Sequence, residues 1–390
     1  MRLRFVVQRY GVEVAGGAEA LCRSTALALV GRGHEVTVLT TTARDYLHWS
    51  PYYPEGQTEE EGVTVRRFSV SPPEPARAAE LARRLGLSPG DPQAEHDWAL
   101  AQGPVSPDLL SAVADTTGAE LDVFWTYLYA TTQMGLPLVR GRSVLVPLAH
   151  DEPMMRYDLT RGVFAAASAL AFLTPEERRL ADDLHGIGDR PNAIVGAGIT
   201  PGLVGDAERA RGDFGLAARF ALYLGRLDAA KGVDTLIRQH AAYRRTGGEL
   251  GLVLAGRGSG ALRIPPEVTS TGFVSDQQRA DLLAAAEVVV LPSPYESLSL
   301  VALEAWQAAT PTLANSRCEV VAGQTARSGG GLLYDDRTYA RQIARLAAAP
   351  GLRRELGIAG REWVVPQTWE ACADRWEALL AQTQVRPASA

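Results

Sequence analysis

Two glutamates eight positions apart, Glu296 and Glu304, and two cations five positions apart, Arg226 and Lys231, are the side chains whose types and spacing best suit chemistry. The glutamates lie in Ser293-Pro294-Tyr295-Glu296-Ser297-Leu298-Ser299-Leu300-Val301-Ala302-Leu303-Glu304-Ala305. An apolar run over 288–291 stops at a Pro/Ser turn carrying the first glutamate, and a helical pattern carrying the second follows at once. A strand, a loop and a helix start in that order present N–H groups and the positive end of a helix dipole, which suits a phosphate. Were the whole segment helical, the carboxylates would stand roughly 12 Å apart. A hydrolytic pair needs about 5 to 9.5 Å. They are therefore read as separate contacts along one extended ligand, Glu296 toward one end and Glu304 toward the other.

Arg226 and Lys231 fall in Gly225-Arg226-Leu227-Asp228-Ala229-Ala230-Lys231-Gly232, between a strand at 220–224 and a helix from about 233. A forked guanidinium and a compact ammonium at such a place describe a diphosphate clamp, with helix N–H groups nearby. Lys231 is the only lysine among 39 Lys and Arg residues. A chain that otherwise uses arginine and keeps one lysine in this loop points to a need for the ammonium itself. In the first half, a strand over 143–148 leads to His150-Asp151-Glu152-Pro153. Ligands of open α/β sheets bind outside the carboxyl ends of strands, so His150 can reach one. A hydrogen-bonded structural histidine is the alternative.

These groups need scaffolds. The strand at 3–8, the turn Gly16-Gly17-Ala18-Glu19, a helix to about 32 and a strand at 35–40 make a βαβ unit. The glycines serve either close approach to a ligand or packing of the turn, and the spacing is not that of a dinucleotide fingerprint. Further strands are read at 63–68, 121–125, 143–148, 167–173 and 192–195, alternating with helical patterns, which implies a parallel doubly wound sheet. Tyr46, Trp49, Tyr52 and Tyr53 cluster on a loop, where packing is commoner than stacking on a sugar or lipid acceptor. A Gly, Pro and Ala-rich linker over 197–219 precedes a second set of βα units, with strands at 220–224, 250–255, 271–274, 288–291 and 311–314. Gly256-Arg257-Gly258-Ser259-Gly260 reads as a phosphate loop or a plain turn, and Gly329-Gly330-Gly331 as a flexible turn. Helices follow from about 338, the last from about 368, with a frayed tail past Gln384.

The 390 residues, 46% hydrophobic and 22% charged, exceed what one core usually supports, so two domains are expected. Three scattered cysteines indicate neither a disulfide framework nor a zinc site. A net charge of −6 with dispersed arginines argues against a nucleic-acid partner and a polybasic membrane patch. Apolar runs fall short of the ~18 residues of a membrane span, and no signal-peptide pattern opens the chain. The expectation is a cytoplasmic protein with at most peripheral contact to the inner face of a membrane.

Gly16-Gly17-Ala18-Glu19, the strand-end His150, Gly225-Arg226 with Lys231-Gly232, and Glu296 to Glu304 as E-x7-E, in this order, resemble the retaining nucleotide-sugar glycosyltransferases of family four across nearly the whole chain. The wording around Glu296 is similar to bacterial members that build polysaccharides and other glycoconjugates. The resemblance implies an α/β GT-B fold, two Rossmann-like doubly wound domains facing a cleft: 1–199 on the acceptor side, 200–365 holding the nucleotide sugar, and 366–390 a helix crossing back plus tail. It implies that a hexose-type sugar moves from a nucleoside diphosphate sugar to the hydroxyl of a sugar, lipid-linked or small-molecule acceptor, with retention. Glu304 would bind the ribose, Arg226 and Lys231 the diphosphate, backbone at Ser299 and Leu300 its oxygens, and Phe273 and Val274 the base. Glu296 would hold sugar hydroxyls, with Gly16, Gly17 and His150 approaching from the first domain. Many members have glycine where Ser299 stands, so its hydroxyl is expected to join the phosphate contact. No D-x-D motif lies beside the donor loops, and neither a metal nor a cofactor is expected. A GT-B epimerase or phosphorylase, or a non-catalytic sugar-binding protein, is the alternative.

Overall fold

The computed structural model describes residues 1–385 apart from 15, 47, 88, 89, 116, 118, 201, 202, 217, 218 and 259–261. Of the tail expected past Gln384, Val385 ends the last helix and residues 386–390 lie outside the described residues, as do Ser259-Gly260 of the glycine-rich turn. The chain divides into two compact units, Met1–Ala197 with Trp369–Ala390, and Gly198–Thr368.

The first unit carries eight strands: β1 (Arg2–Val6), β2 (Glu35–Thr41), β3 (Gly56–Glu60), β4 (Val63–Phe68), β5 (Leu121–Trp125), β6 (Ser143–Val146), β7 (Ala169–Phe172) and β8 (Asn192–Ile194). They form one sheet in the order β3-β4-β2-β1-β5-β6-β7-β8. Every neighbouring pair is parallel except β3 with β4. Strands buried on both faces read as continuous apolar runs, as Ala-Leu-Ala-Phe of β7 does. The exposed edge strand β3, Gly-Gln-Thr-Glu-Glu, has no such run and escaped the sequence reading. The helix Gly17–Gly31 buries Leu21, Cys22, Ala26 and Leu29. The closing helix Trp369–Val385 belongs to this unit: Trp376 is buried 6.2 Å from the Trp125 ring, and Arg32 pairs with Asp374 at 2.5 Å. Of the loop aromatics, Trp49 is buried with its indole N–H donated to the Gln102 carbonyl at 2.7 Å, and the Tyr53 hydroxyl donates to Glu13 at 2.6 Å. Those two pack. Tyr52 stays half exposed beneath the Arg44 guanidinium.

The second unit has β9 (Phe220–Leu224), β10 (Gly251–Ala255), β11 (Thr269–Gly272), β12 (Val288–Leu291), β13 (Thr312–Asn315) and β14 (Gly331–Tyr334) in the order β11-β10-β9-β12-β13-β14, all parallel. Its core gathers Ala221, Tyr223, Leu252, Leu254, Val288, Val290 and Leu313 from the strands with Leu236 and Ile343 from covering helices.

Two expectations are corrected here. The supposed linker contains the helix Ala207–Phe214, whose cap Asp206 accepts the N–H groups of Glu208 and Arg209 at 2.9 and 3.1 Å. Its Arg209 holds Asp281 through bonds of 2.5 and 2.6 Å, and that pairing pulls the Asp281 carboxyl down to about 2. An ion pair rather than an apolar stripe anchors this polar helix. The triple glycine is a packed turn, not a flexible one. Gly329 ends the helix Glu319–Ser328 with φ of 60°, and a side chain on Gly330 would overlap the Trp306 indole, whose N–H donates to the Gly330 carbonyl at 2.9 Å. Gly331 then opens β14 against Thr312.

Among the parallel strands of each sheet the order reverses once, between β1 and β5 and between β9 and β12. Such a switch point, at the carboxyl ends, is where an open α/β sheet binds its ligand.

Candidate active site

In the second unit, the loops after β9 and β12 carry Arg226, Lys231 and Glu296. Val288 and Val289 of β12 pair with Ala221 and Leu222 of β9, so both loops leave the switch point side by side. The clamp loop is tied on three sides. Gly225 and Leu227 donate N–H bonds of 3.0 and 2.8 Å to the carbonyls of Ala255 and Arg257 after β10, an approach a side chain on Gly256 would block. The buried Tyr223 donates its hydroxyl to the Arg226 carbonyl at 2.7 Å. The short turn Ala229–Lys231 ends at Gly232, whose φ of 72° and 2.7 Å gap between a would-be Cβ and the Pro292 carbonyl leave no room for another residue.

Lys231 Nζ donates to Glu296 Oε1 at 2.8 Å, and Arg226 Nε lies 3.5 Å from Asp228 Oδ2. The structure therefore brings the predicted cations and the first glutamate together, each cation beside a carboxylate. Side-chain exposures of 46%, 26% and 20% for Arg226, Lys231 and Glu296 leave all three within reach of a ligand.

The helix Leu300–Gln307 begins directly after this loop. Its first-turn N–H groups have no acceptor within the helix, so the N-terminus offers donors and a positive dipole end. Ser299 is engaged otherwise than expected. Its hydroxyl caps the helix, accepting the Ala302 N–H at 3.3 Å, and its own N–H donates to the side chain of buried Gln324 at 3.1 Å. The hydroxyl keeps its own proton to donate, whereas the Ser299 N–H is already taken by Gln324. Glu304, one turn on, lies 3.3 Å from Arg279; burial pushes its carboxyl up and Arg279 partly opposes this. Arg279 belongs to the helix Asp276–Ala285, which follows the Phe273-Val274 loop and starts in a Ser275/Gln278 capping box. Phe273 is 59% exposed with the Arg257 guanidinium 4.6 Å above its ring. Arg279, Gln324 and Arg257 were not singled out in the sequence. Only the capping box was a local signal of this region's geometry.

In the first unit, Gly16 and Gly17 follow β1 and start the helix Gly17–Gly31. A side chain on Gly16 would overlap the Glu19 carboxylate, whereas one on Gly17 would meet nothing within 4 Å. Packing thus accounts for Gly16 and not for Gly17. Glu19 is buried and accepts from Gln8 at 2.7 Å and from Arg9 at 2.5 and 2.9 Å, holding the strand end to the helix. His150 follows β6; its Nδ1 donates to Glu152 at 3.2 Å, and the same carboxylate accepts the Tyr127 hydroxyl at 2.6 Å. That leaves Nε2 as the ring nitrogen available to a ligand. The residue before it is tied by Glu177, another group missed from sequence, which accepts the N–H groups of Ala149 and Leu173 at 2.7 and 2.6 Å; burial pushes its carboxyl up to about 8.

Two Rossmann-like α/β units, each built on a mainly parallel sheet with a switch point, define the GT-B class of protein. The model of the family "Glycosyl transferases group 1" matches residues 218–349. The D-inositol 3-phosphate glycosyltransferase of Acidothermus cellulolyticus is 30% identical, over 88% of this chain and 80% of that protein. The chain belongs to the group 1 glycosyltransferases. The fold matches that of sucrose-phosphate synthase from Thermosynechococcus elongatus, with a TM-score of 0.74 and 21% identity over 98% of this chain and 99% of that one. It also matches Anabaena HepE, solved in complex with UDP-glucose, with a TM-score of 0.72 and 16% identity over 98% and 99%. No helix among the described residues is long and apolar enough to cross a membrane.

Proposed function

We propose that this glycosyltransferase moves a hexose-type sugar from a nucleoside diphosphate sugar to an acceptor hydroxyl, with retention of configuration and without a divalent metal, in the building of a polysaccharide or other glycoconjugate. The observation that carries this is the meeting of Arg226, Lys231, Glu296 and the start of the helix Leu300–Gln307 at the β9/β12 switch point. The bond broken joins C1 of the sugar to the diphosphate, and negative charge grows on the leaving oxygen. Fixed cations and helix N–H groups aimed at that oxygen are then the main catalytic term. The departing phosphate accepts the acceptor's hydroxyl proton on the face it leaves, while the acceptor oxygen forms the new bond to C1, so the anomeric configuration is kept. Glu296 holds sugar hydroxyls, Glu304 the ribose, and Phe273 and Val274 the base. HepE was solved with UDP-glucose and a relative is named for inositol 3-phosphate, which supports a nucleotide-sugar donor and a polyol or sugar acceptor.

The test is a panel of uridine and guanosine diphosphate sugars, with nucleoside diphosphate release followed in the presence of sugar, polyol and lipid-linked acceptors. Release with one donor, and a product of unchanged anomeric configuration by NMR, is expected. Binding of no nucleoside diphosphate would overturn the donor assignment, and an inverted product would overturn the mechanism.

A further inference from the structure

The clamp loop contains an acid that an anion site has no direct use for. Asp228 stands between Arg226 and Lys231, its side chain 23% exposed. A carboxylate about 4 Å from a bound phosphate opposes it, by roughly fivefold in affinity per unit charge even in water. Geometry shows what it contributes in return. Oδ1 accepts the Lys231 N–H at 2.9 Å and so caps the turn Ala229–Lys231, fixing where the lysine's backbone leaves the loop. Oδ2 lies 3.5 Å from Arg226 Nε. One carboxylate thus engages both cations, the first through its side chain and the second through its main chain. Tyr223 secures the remaining freedom of the loop from beneath, through its bond to the Arg226 carbonyl.

We propose that Asp228 is the positioning residue of the diphosphate clamp: it sets the separation and aim of Arg226 and Lys231 and touches neither the sugar nor the phosphates. This rests on the donor assignment above. The arrangement makes the clamp a prearranged unit, because a six-residue segment ending in two long cationic side chains would otherwise sample many rotamers that the diphosphate would have to order on binding.

Asp228→Asn and Asp228→Ala separate this from its alternatives. Asparagine caps as well as aspartate but carries no charge for Arg226, while alanine loses both contacts. With the donor found in the screen, kcat is expected to fall about tenfold in the asparagine variant and about 100-fold in the alanine variant, the latter being the scale of a catalytic group displaced by ~1 Å. Affinity for the nucleoside diphosphate, measured by calorimetry, should change less than kcat in both. Thermal midpoints within a few degrees of the parent would show that the loss is not one of folding. If Asp228 were a bystander charge, the asparagine variant would bind the diphosphate more tightly and keep kcat within about twofold, and that result overturns the proposal while leaving the donor assignment intact. A parent protein that binds no nucleoside diphosphate would overturn both.

Discussion

Glu296→Gln tests the site most sharply, because the carboxylate it neutralises has two partners to lose. In the structure Glu296 holds the Lys231 ammonium at 2.8 Å, and a bound diphosphate has to share that ammonium. Both side chains are mostly covered, at 20% and 26% exposure, yet the pair lies at a surface, where such pairs contribute about 0.2–1 kcal/mol. Removing the competing charge should therefore leave nucleoside diphosphate affinity unchanged or up to about fivefold tighter. Transfer should behave in the opposite way. A hydroxyl contact that strengthens as the sugar becomes oxocarbenium-like is worth roughly 3 kcal/mol, so turnover should fall about 100-fold or more. Glu304→Ala supplies the contrast, since losing a charged hydrogen bond to the ribose costs about 1.5–3 kcal/mol and should weaken the diphosphate itself by roughly 10- to 100-fold. Calorimetric titration of both variants with the product diphosphate, beside steady-state rates, makes the measurement. If Glu296→Gln weakened the diphosphate as much as Glu304→Ala does, Glu296 would be acting only as a tether for Lys231, and its assignment to the sugar would be wrong.

Lys231→Arg keeps the charge and changes the geometry: a longer, planar guanidinium should misplace the diphosphate and lower kcat about 100-fold, against about 1000-fold for alanine, and an arginine variant within about threefold of the parent would leave the clamp resting on Arg226. Turnover should persist in excess chelator, because Arg226, Lys231 and the helix N-terminus stand where a metal would otherwise neutralise the leaving group; loss in EDTA with recovery on adding magnesium or manganese would refute this. His240 is buried with Nε2–H donated to the Leu250 carbonyl at 3.0 Å and Nδ1 2.9 Å from the Tyr339 hydroxyl, and burial pushes it down to about 4. Its folded value lies below the unfolded ~6.5, so the stability from its neutral form is complete above pH ~6.5 and is lost as pH falls toward 4, by up to about 3 kcal/mol. Urea unfolding followed by tryptophan fluorescence should show that decline, and His240→Gln should flatten it; equal slopes would refute the assignment.

How much of this was legible follows from the range over which each signal acts. β12 and the helix after it could be read directly, because an apolar run, a Pro/Ser turn and a helical period lie within twenty residues of chain. Asp206–Phe214 could not, since what holds its helix is Asp281, more than seventy positions on, and a polar octapeptide rich in charge looks like a linker without that partner. Gly330 looked like slack for the same reason: the indole that forbids a side chain there comes from Trp306, on another helix. Ser299 was placed correctly at a helix start, but its N–H had been promised to a phosphate before Gln324 could be known to take it.

The charges of the clamp show the limit most clearly, and it bears on mechanism. In the sequence, Arg226 and Lys231 describe a diphosphate clamp and Glu296 a separate contact along the ligand. Folded, Arg226 faces Asp228 and Lys231 faces Glu296, so the four side chains sum to no formal charge. Attraction of a dianionic leaving group then depends less on net charge than on where each cation is held when the sugar–phosphate bond lengthens. Preorganised dipoles of that kind stabilise charge that develops in the transition state more than charge already present in the ground state. A clamp built this way should release its diphosphate product more readily than two unpaired positive groups would. The same pairing makes the site sensitive to the geometry of single carboxylates, which is why neutral replacements at Asp228 and Glu296 should alter kcat more than they alter diphosphate affinity.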